Sequence, residues 1–359
     1  MKNNLKMNKF LTKIKYKDSI TFLLVIVSIY FLDFLWIHKY DLVPAWDQGF
    51  HLSNLYKYSY LIKENNIFSK EWWATFWSVT DNYRGPITYI LSGVFLNITG
   101  ITLKNAILSN TIFNIIICFS IYKICIKFFK KEIGLWAIFL FSFNPYIFNL
   151  RNDYLIDLSQ LAFICINFLF LSQWYFSKKN NYKLSFISGA SFGLLFLAKP
   201  TAIFYFLIPI LLILKKIISS QDYKFINKIL ILSIYIFSFV FIIYPWVSIN
   251  WLTLLTSTIN AWNWGLKYQD GFEINTLQGW IFYPFEIIKI SNPILIFTCL
   301  ISNLFFIFKY KPINFKLTLI KKNYFKKCLW FFSLPLNIIF LNLIMTTKDT
   351  RFIIPLLPL

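Results

Sequence analysis

Charge is scarce in this sequence. Only 14% of its 359 residues are charged, where a soluble domain carries about a quarter. Acids are scarcer still, 15 Asp and Glu against 36 Lys and Arg, and His38 and His51 are the only histidines. The five cysteines (Cys118, Cys125, Cys165, Cys299 and Cys328) stand in or at the ends of apolar runs without ligand-like spacing. They read as small buried hydrophobes, and no zinc site is visible. Strand-like alternation is missing, which excludes a β-barrel and leaves helices as the means of crossing a bilayer. No small-residue cleavage site ends the first apolar run, so that run reads as an uncleaved signal anchor.

What fills the chain instead is apolar surface: 58% of the residues are hydrophobic and 21% aromatic. Apolar runs of about 18 residues or more recur, the length that crosses a hydrocarbon core. The reading is an all-α, multi-spanning membrane protein. A net charge of +21 would suit nucleic acid, but the basic residues sit in short clusters between apolar runs, where they set orientation. There is no basic, aromatic-interleaved soluble module.

Expected spans are 19–37, 105–126, 133–150, 157–176, 184–198, 200–214, 226–246, 287–308 and 328–346. Residues 1–18, with six lysines, form a cytoplasmic tail, and 19–359 one transmembrane domain. Residues 38–104 make a long outer loop rich in tryptophan, a ring that favours the membrane interface. Its apolar stretch 86–100 is short for a span and is expected to lie at the interface. With that choice, most Lys and Arg fall on the inner side and most acids on the outer. Were 86–100 to cross, every later loop would invert and the bias would fail. The same bias makes 184–214 two short helices meeting at Lys199-Pro200. A turn at that depth is tolerated only when it is buried in protein or lines a wet cavity, so Lys199 is expected to face one.

The outer side then gathers Asp47 and Arg84 from the first loop, Arg151, Asp153 and Asp157 from the second, Lys199, and Lys348, Asp349 and Arg351 after the last complete span. Acids from separate loops beside several cations suit an anionic, membrane-derived substrate. Cations hold phosphate oxygens, and a carboxylate can take a proton from an attacking hydroxyl. Taken singly, exposed loop charges are usually just solvated. Lys199 is the exception, because its depth is costly without a partner. Asp33, near the end of the first span, either snorkels to water or faces the bundle interior.

Pro44-Ala45-Trp46-Asp47-Gln48-Gly49-Phe50-His51 resembles the first-loop motif of the GT-C glycosyltransferases, nearest to family 39, which includes protein O-mannosyltransferases and aminoarabinose lipid A transferases. Tyr83-Arg84-Gly85-Pro86-Ile87-Thr88-Tyr89 resembles the segment that follows there. Arg151-Asn152-Asp153-Tyr154-Leu155-Ile156-Asp157 resembles the second acidic motif, and Leu197-Ala198-Lys199-Pro200-Thr201-Ala202 the lysine turn. Lys348-Asp349-Thr350-Arg351-Phe352-Ile353-Ile354-Pro355-Leu356-Leu357-Pro358 resembles the motif that opens a later span. Each motif alone is weak; their order across nearly the whole chain is more specific.

The resemblance implies a GT-C helical bundle with interfacial helices in an extracytoplasmic first loop. It implies transfer of a sugar from a polyprenyl-phosphate carrier to an acceptor hydroxyl on the outer face, with inversion, by a multi-pass protein of the inner (plasma) membrane. Asp47 and Asp157 would be catalytic. Arg84, Lys199 and Arg351 would contact the donor phosphate, and Gln48, His51, Arg151 and Asp153 would orient acceptor or sugar. The partners would be membrane lipid, the polyprenyl-phosphate-linked sugar and a glycan, lipid or protein acceptor, with no nucleic acid. No metal site is assigned, although two acids could hold a divalent cation with substrate phosphate. Two departures stand out: many relatives carry Asp-Glu where this chain has Asp47-Gln48, and they continue with further spans beyond Leu359, which implies a fragment or a short relative. The competing readings are a lipid-linked sugar or polysaccharide transporter, which should show a second broken helix pair, and a non-catalytic subunit of a cell-envelope glycan assembly system.

Overall fold

The computed structural model describes residues 2–40, 43–64, 66–79, 84–177, 181–220, 224–268, 276–294, 296–298, 301–302, 319–345 and 348–358. Asp41, Asp81 and Cys299 lie outside them. Every regular element among the described residues is helical. Among the described residues six helices are long and apolar enough to cross a membrane, or seven if one bent pair counts as a single span.

The chain opens with α1 (Lys2–Lys39), whose lysines precede an apolar stretch from Ile20. Three helices of the tryptophan-rich region follow: α2 (Trp46–Glu64), α3 (Lys70–Ser78) and α4 (Ile87–Thr99). Ser69 caps α3 by accepting from the backbone N–H of Trp72, and Gly100, at φ 101°, ends α4 in a backbone conformation that side chains rarely adopt. At 13 residues α4 is shorter than a span. It packs along α2, closing a cluster of Leu52, Leu55, Tyr58, Tyr89 and Leu96 with Trp72 and Phe76 of α3.

The bundle proper begins with α5 (Leu103–Leu108) and α6 (Asn110–Phe128), which together make one span. The single helix expected over 133–150 is instead two, α7 (Lys131–Ser142) and α8 (Pro145–Asn152), bent by 64°. The reason is local. Asn144 accepts from the N–H groups of Tyr146 and Ile147, and Pro145 takes the first helical position, where its missing N–H costs nothing. The break allows α8 to bring its own end, and the turn that follows, toward the head of α9 (Ile156–Tyr175).

Helix α9 is the axis of the fold. Nearly all its residues are buried, with α6 on one side and α10 (Tyr182–Ala198) on another. Helix α10 ends as expected at Lys199-Pro200, and a 3-10 turn (Pro200–Phe206) leads into α11 (Leu207–Ser219). Helix α12 (Phe225–Tyr268) is 44 residues long, far beyond the span expected at 226–246. It leaves Phe237, Phe241 and Tyr244 exposed, the face a helix offers to lipid. Its other face meets a stripe of small residues on α10. A Cβ at Gly189 would overlap Ser238 and the Tyr235 carbonyl, one at Gly193 would come 2.8 Å from Ile242, and Ser185 donates to the Ile231 carbonyl. Small residues four apart let two helix backbones approach closely, which inside a bilayer is a main source of association.

Helix α13 (Leu277–Ile290) starts ten residues before the span expected at 287. It stops where Asn292 turns left-handed (φ 67°) ahead of Pro293. Half of the remainder of that expected span, 291–308, lies outside the described residues. Helix α14 (Leu319–Ile344) completes the bundle, its Trp330 fully buried and donating to Ser172 of α9. A final 3-10 turn (Thr350–Leu356) folds back against α9, α13 and α14.

Candidate active site

Asp47 stands in the first turn of α2, where the unpaired N–H groups favour a negative charge. The chain enters through Trp46, a non-glycine residue at φ 30°, and Gln48 closes the turn with two hydrogen bonds to Ala45. This entry leaves the carboxylate 45% exposed. Two guanidinium groups share it: Arg351 Nη1 lies 3.1 Å from Oδ2 and Arg84 Nη2 lies 3.7 Å from Oδ1. These residues are far apart in sequence. Burial alone would raise the Asp47 carboxyl, but the hydrogen bond from Arg351 and the charges of Arg84 and Arg351 outweigh it and hold it below its ordinary value.

Each arginine is held from behind. Asp349 caps the last 3-10 turn by accepting from the Arg351 backbone N–H at 2.8 Å. It also takes the Arg351 side chain through Nε at 2.8 Å and Nη2 at 2.7 Å. This pairing pushes the Arg351 guanidinium even higher than an arginine's ordinary range. Arg84 lies over the Phe50 ring, 4.7 Å from its centroid, and its Nη1 is 3.5 Å from His51 Nε2. The other nitrogen of His51 meets the Tyr89 hydroxyl at 2.7 Å. Burial, aided by Arg84, pushes the His51 imidazole down to about 4, so it is neutral at ordinary pH. A neutral ring with Nδ1–H toward Tyr89 presents Nε2 as an acceptor for Arg84.

Asp157 occupies the first turn of α9 and is 6% exposed. Lys199 Nζ reaches it at 3.1 Å and lies 5.7 Å from the centroid of the Phe352 ring. Lys199 therefore has the partner its depth required. Asp157 and Lys199 act electrostatically on His51, and Asp157 also acts on Arg351. The Asp157–Lys199 pair and the Asp47–Arg84–Arg351 group thus form one charged cluster. Gly85 ties the halves together: a Cβ there would overlap the Leu197 carbonyl at the end of α10, so only glycine lets the Arg84 segment lie against the helix that delivers Lys199.

Asp47, Asp157, Arg84, Lys199, Arg351 and His51 are therefore brought together. Gln48 and Asp153 sit beside them: burial raises the Asp153 carboxyl, and a hydrogen bond from the Gln48 side chain works against that rise. Arg151 is placed elsewhere. Its side chain is 4% exposed and makes two bonds to Asp33 of α1, Nε to Oδ2 at 2.7 Å and Nη2 to Oδ1 at 3.0 Å, while Nη1 donates to the Ser142 carbonyl. Asp33 thus faces the bundle interior.

Sequence reasoning missed several supporting residues. Asn110 of α6 donates to the carbonyls of both Arg151 and Asp153, bracing the turn that carries Asp157. Tyr89 and Phe50 gave no signal in a chain this aromatic. Asp349 stands among the outer charges in the sequence, and what the sequence left unassigned is its hold on Arg351. Among the described residues no three His, Cys, Asp or Glu side chains gather as metal ligands.

A family model for dolichyl-phosphate-mannose-protein mannosyltransferase matches residues 84–249, a stretch that holds Arg84, Asp157 and Lys199 but neither Asp47 nor Arg351. No curated protein matches the chain. Among solved structures, ArnT from Cupriavidus metallidurans bound to undecaprenyl phosphate superposes with a TM-score of 0.63 at 11% identity, over 95% of this chain and 58% of that one. The apo state of the same protein gives 0.59 at 13% identity, over 95% and 57%. The chain thus spans less than two thirds of the length of the structures it matches. It has the ArnT-like GT-C fold, as its resemblance to that family implied.

Proposed function

We propose that this chain is a membrane glycosyltransferase that moves a sugar from a polyprenyl-phosphate carrier to an acceptor hydroxyl on the outer face of a bacterial-type inner membrane. The observation that carries the reading is the convergence of two carboxylates, Asp47 and Asp157, with three cations, Arg84, Lys199 and Arg351, from five separate segments. The family match and the fold shared with an undecaprenyl-phosphate-bound protein support a lipid-phosphate donor.

In this reading the acceptor oxygen attacks the anomeric carbon, the bond to the carrier phosphate breaks, and the phosphate leaves with the added negative charge. In-line displacement inverts the anomeric centre. Arg84, Lys199 and Arg351 stabilise the departing phosphate, fixed donors aimed where charge develops. Asp47 receives or steers the acceptor proton. A carboxylate held low by two guanidiniums is a weak base in the ground state, and it strengthens when those guanidiniums turn to the phosphate. Asp157 holds Lys199 in place and orients sugar or acceptor. Gln48 and Asp153 line the acceptor side, and His51 acts through Arg84. Arg151, committed to Asp33, contributes by fixing the turn before Asp157.

The test is transfer of labelled sugar from polyprenyl-phosphate donors in membranes holding wild type or Asp47→Asn. Wild type should transfer, and the variant should fall by about 100- to 10,000-fold, the range for a lost general base. Equal rates in both would remove Asp47 from the chemistry.

A further inference from the structure

A cavity of about 660 Å³ lies beside the charged cluster, between the head of α8, the last turns of α13 and the Asp349-Thr350 corner. That volume is in the range of small-molecule sites. Its polar wall is Tyr146, Asn149, Glu286, Lys289, Asp349 and Thr350, and Pro145 and Pro293 supply apolar patches. We infer that this cavity is a subsite for a neutral, polyhydroxylated sugar ring, and that the acceptor is accordingly a saccharide. Naming its occupant the acceptor rests on the transferase reading above.

The wall's charges are already paired. Lys289 Nζ lies 3.2 Å from Glu286 Oε1, and Asp349 holds Arg351. Among the described residues of the wall, Lys289, Glu286 and Asp349 are thus each already engaged by an opposite charge. The charge-paired wall still has abundant hydrogen-bonding capacity. Each Glu286 oxygen takes one donor, Lys289 on Oε1 and the Thr350 hydroxyl on Oε2 at 2.9 Å, and a carboxylate can accept about four. Asn149 is exposed to the space and offers both a donor and an acceptor. Acceptors and an amide set against apolar patches suit a ring whose edge carries hydroxyls and whose faces carry C–H groups. A lipid tail would leave these polar groups unmatched.

The placement ties the cavity to the chemistry. Asp349 belongs to both: it lines the cavity, and the Arg351 it holds is hydrogen-bonded to Asp47. The Asp349 backbone N–H is in turn anchored by the Tyr283 hydroxyl of α13. A sugar lodged against Asp349 and Thr350 therefore lies one side chain, Arg351, away from the carboxylate proposed to take its proton.

The experiment is saturation-transfer NMR with the full chain in lipid nanodiscs, free of sugar-based detergent. The probes are neutral methyl glycosides, with glucose 6-phosphate as the anionic counterpart. Wild type should transfer saturation to the ring protons of at least one methyl glycoside, and more strongly than to glucose 6-phosphate. Asn149→Leu and Glu286→Gln should each cut that signal at least fivefold. The first changes an exposed side chain and the second keeps the shape of a partly buried one, so both are compatible with folding. No signal from any neutral glycoside, a signal unchanged in both variants, or a preference for the phosphate would overturn the subsite. No donor enters this measurement. Glycoside binding without transfer would sink the transferase reading and leave the subsite, while transfer without glycoside binding would do the reverse.

Discussion

In the proposed site His51 acts through Arg84, without touching the substrate. Its ring sits between the Tyr89 hydroxyl and Arg84, and burial keeps it neutral. The native state therefore resists a proton that the unfolded chain accepts at its ordinary value near 6.5. Between about 6.5 and about 4 the unfolded state binds more protons, so the stability due to neutral His51 is complete above that window and is lost as pH falls through it. In thermal unfolding at pH 7 and pH 4.5, wild type should lose more stability on acidification than His51→Gln, which carries no such proton. Parallel losses would remove His51 from that pH dependence. The same geometry makes Arg84 a better target than any surface cation. Replacing it with alanine removes a charge-assisted contact worth about 1.5–3 kcal/mol, or roughly 10- to 100-fold in kcat/KM for the donor. Lys63→Ala, at the far end of α2, should leave donor use unchanged.

At the scale of elements, the buried pair between Asp33 and Arg151 pins α1 to α8. Both side chains are almost inaccessible, at 5% and 4%, and both Asp33 oxygens are engaged. Breaking such a pair leaves one charge alone in a poorly polar interior. Asp33→Asn or Arg151→Met should therefore each cost about 3–5 kcal/mol, whereas Asp33→Leu with Arg151→Met together should recover most of the loss. Thermal unfolding in lipid nanodiscs would read this, and additive losses in the double variant would mean the two residues act separately. The pair also shows what the sequence hid. Arg151 lies within a motif that suggests substrate contact, and nothing in its neighbourhood reveals that its partner sits on the first helix. The break between α7 and α8 was legible afterwards in Asn144-Pro145, but an apolar run on both sides outweighed it. Lys199-Pro200 is legible because only two short helices over 184–214 keep the later basic segments on one side. The reason generalises: charge in an apolar run is informative, while capping in an apolar run is easily overlooked.

At the scale of the molecule, the helical, multi-spanning character was legible from apolar run length alone, and the grouping of Asp47, Asp157, Arg84, Lys199 and Arg351 followed from motif order. What could not be read was contact across hundreds of residues, such as the arginine near the end of the chain that meets Asp47, or the cavity Glu286 lines. Orientation is the property on which the proposed site depends most. The basic residues cluster in α1 and in the segments around α6–α7, α11–α12 and the start of α14, and on the proposed orientation the positive-inside bias would make those ends cytoplasmic. On the proposed orientation the first loop and its Asp47 face outward. Lys70 and Ser219 are exposed at the ends of helices on the two expected sides. In a chain whose own cysteines are replaced by alanine, Lys70→Cys should react with a membrane-impermeant thiol reagent in intact cells. Ser219→Cys should react only after the membrane is opened. The reverse pattern would turn Asp47 and its arginines to the cytoplasmic side, where transfer from an outward-facing carrier is impossible.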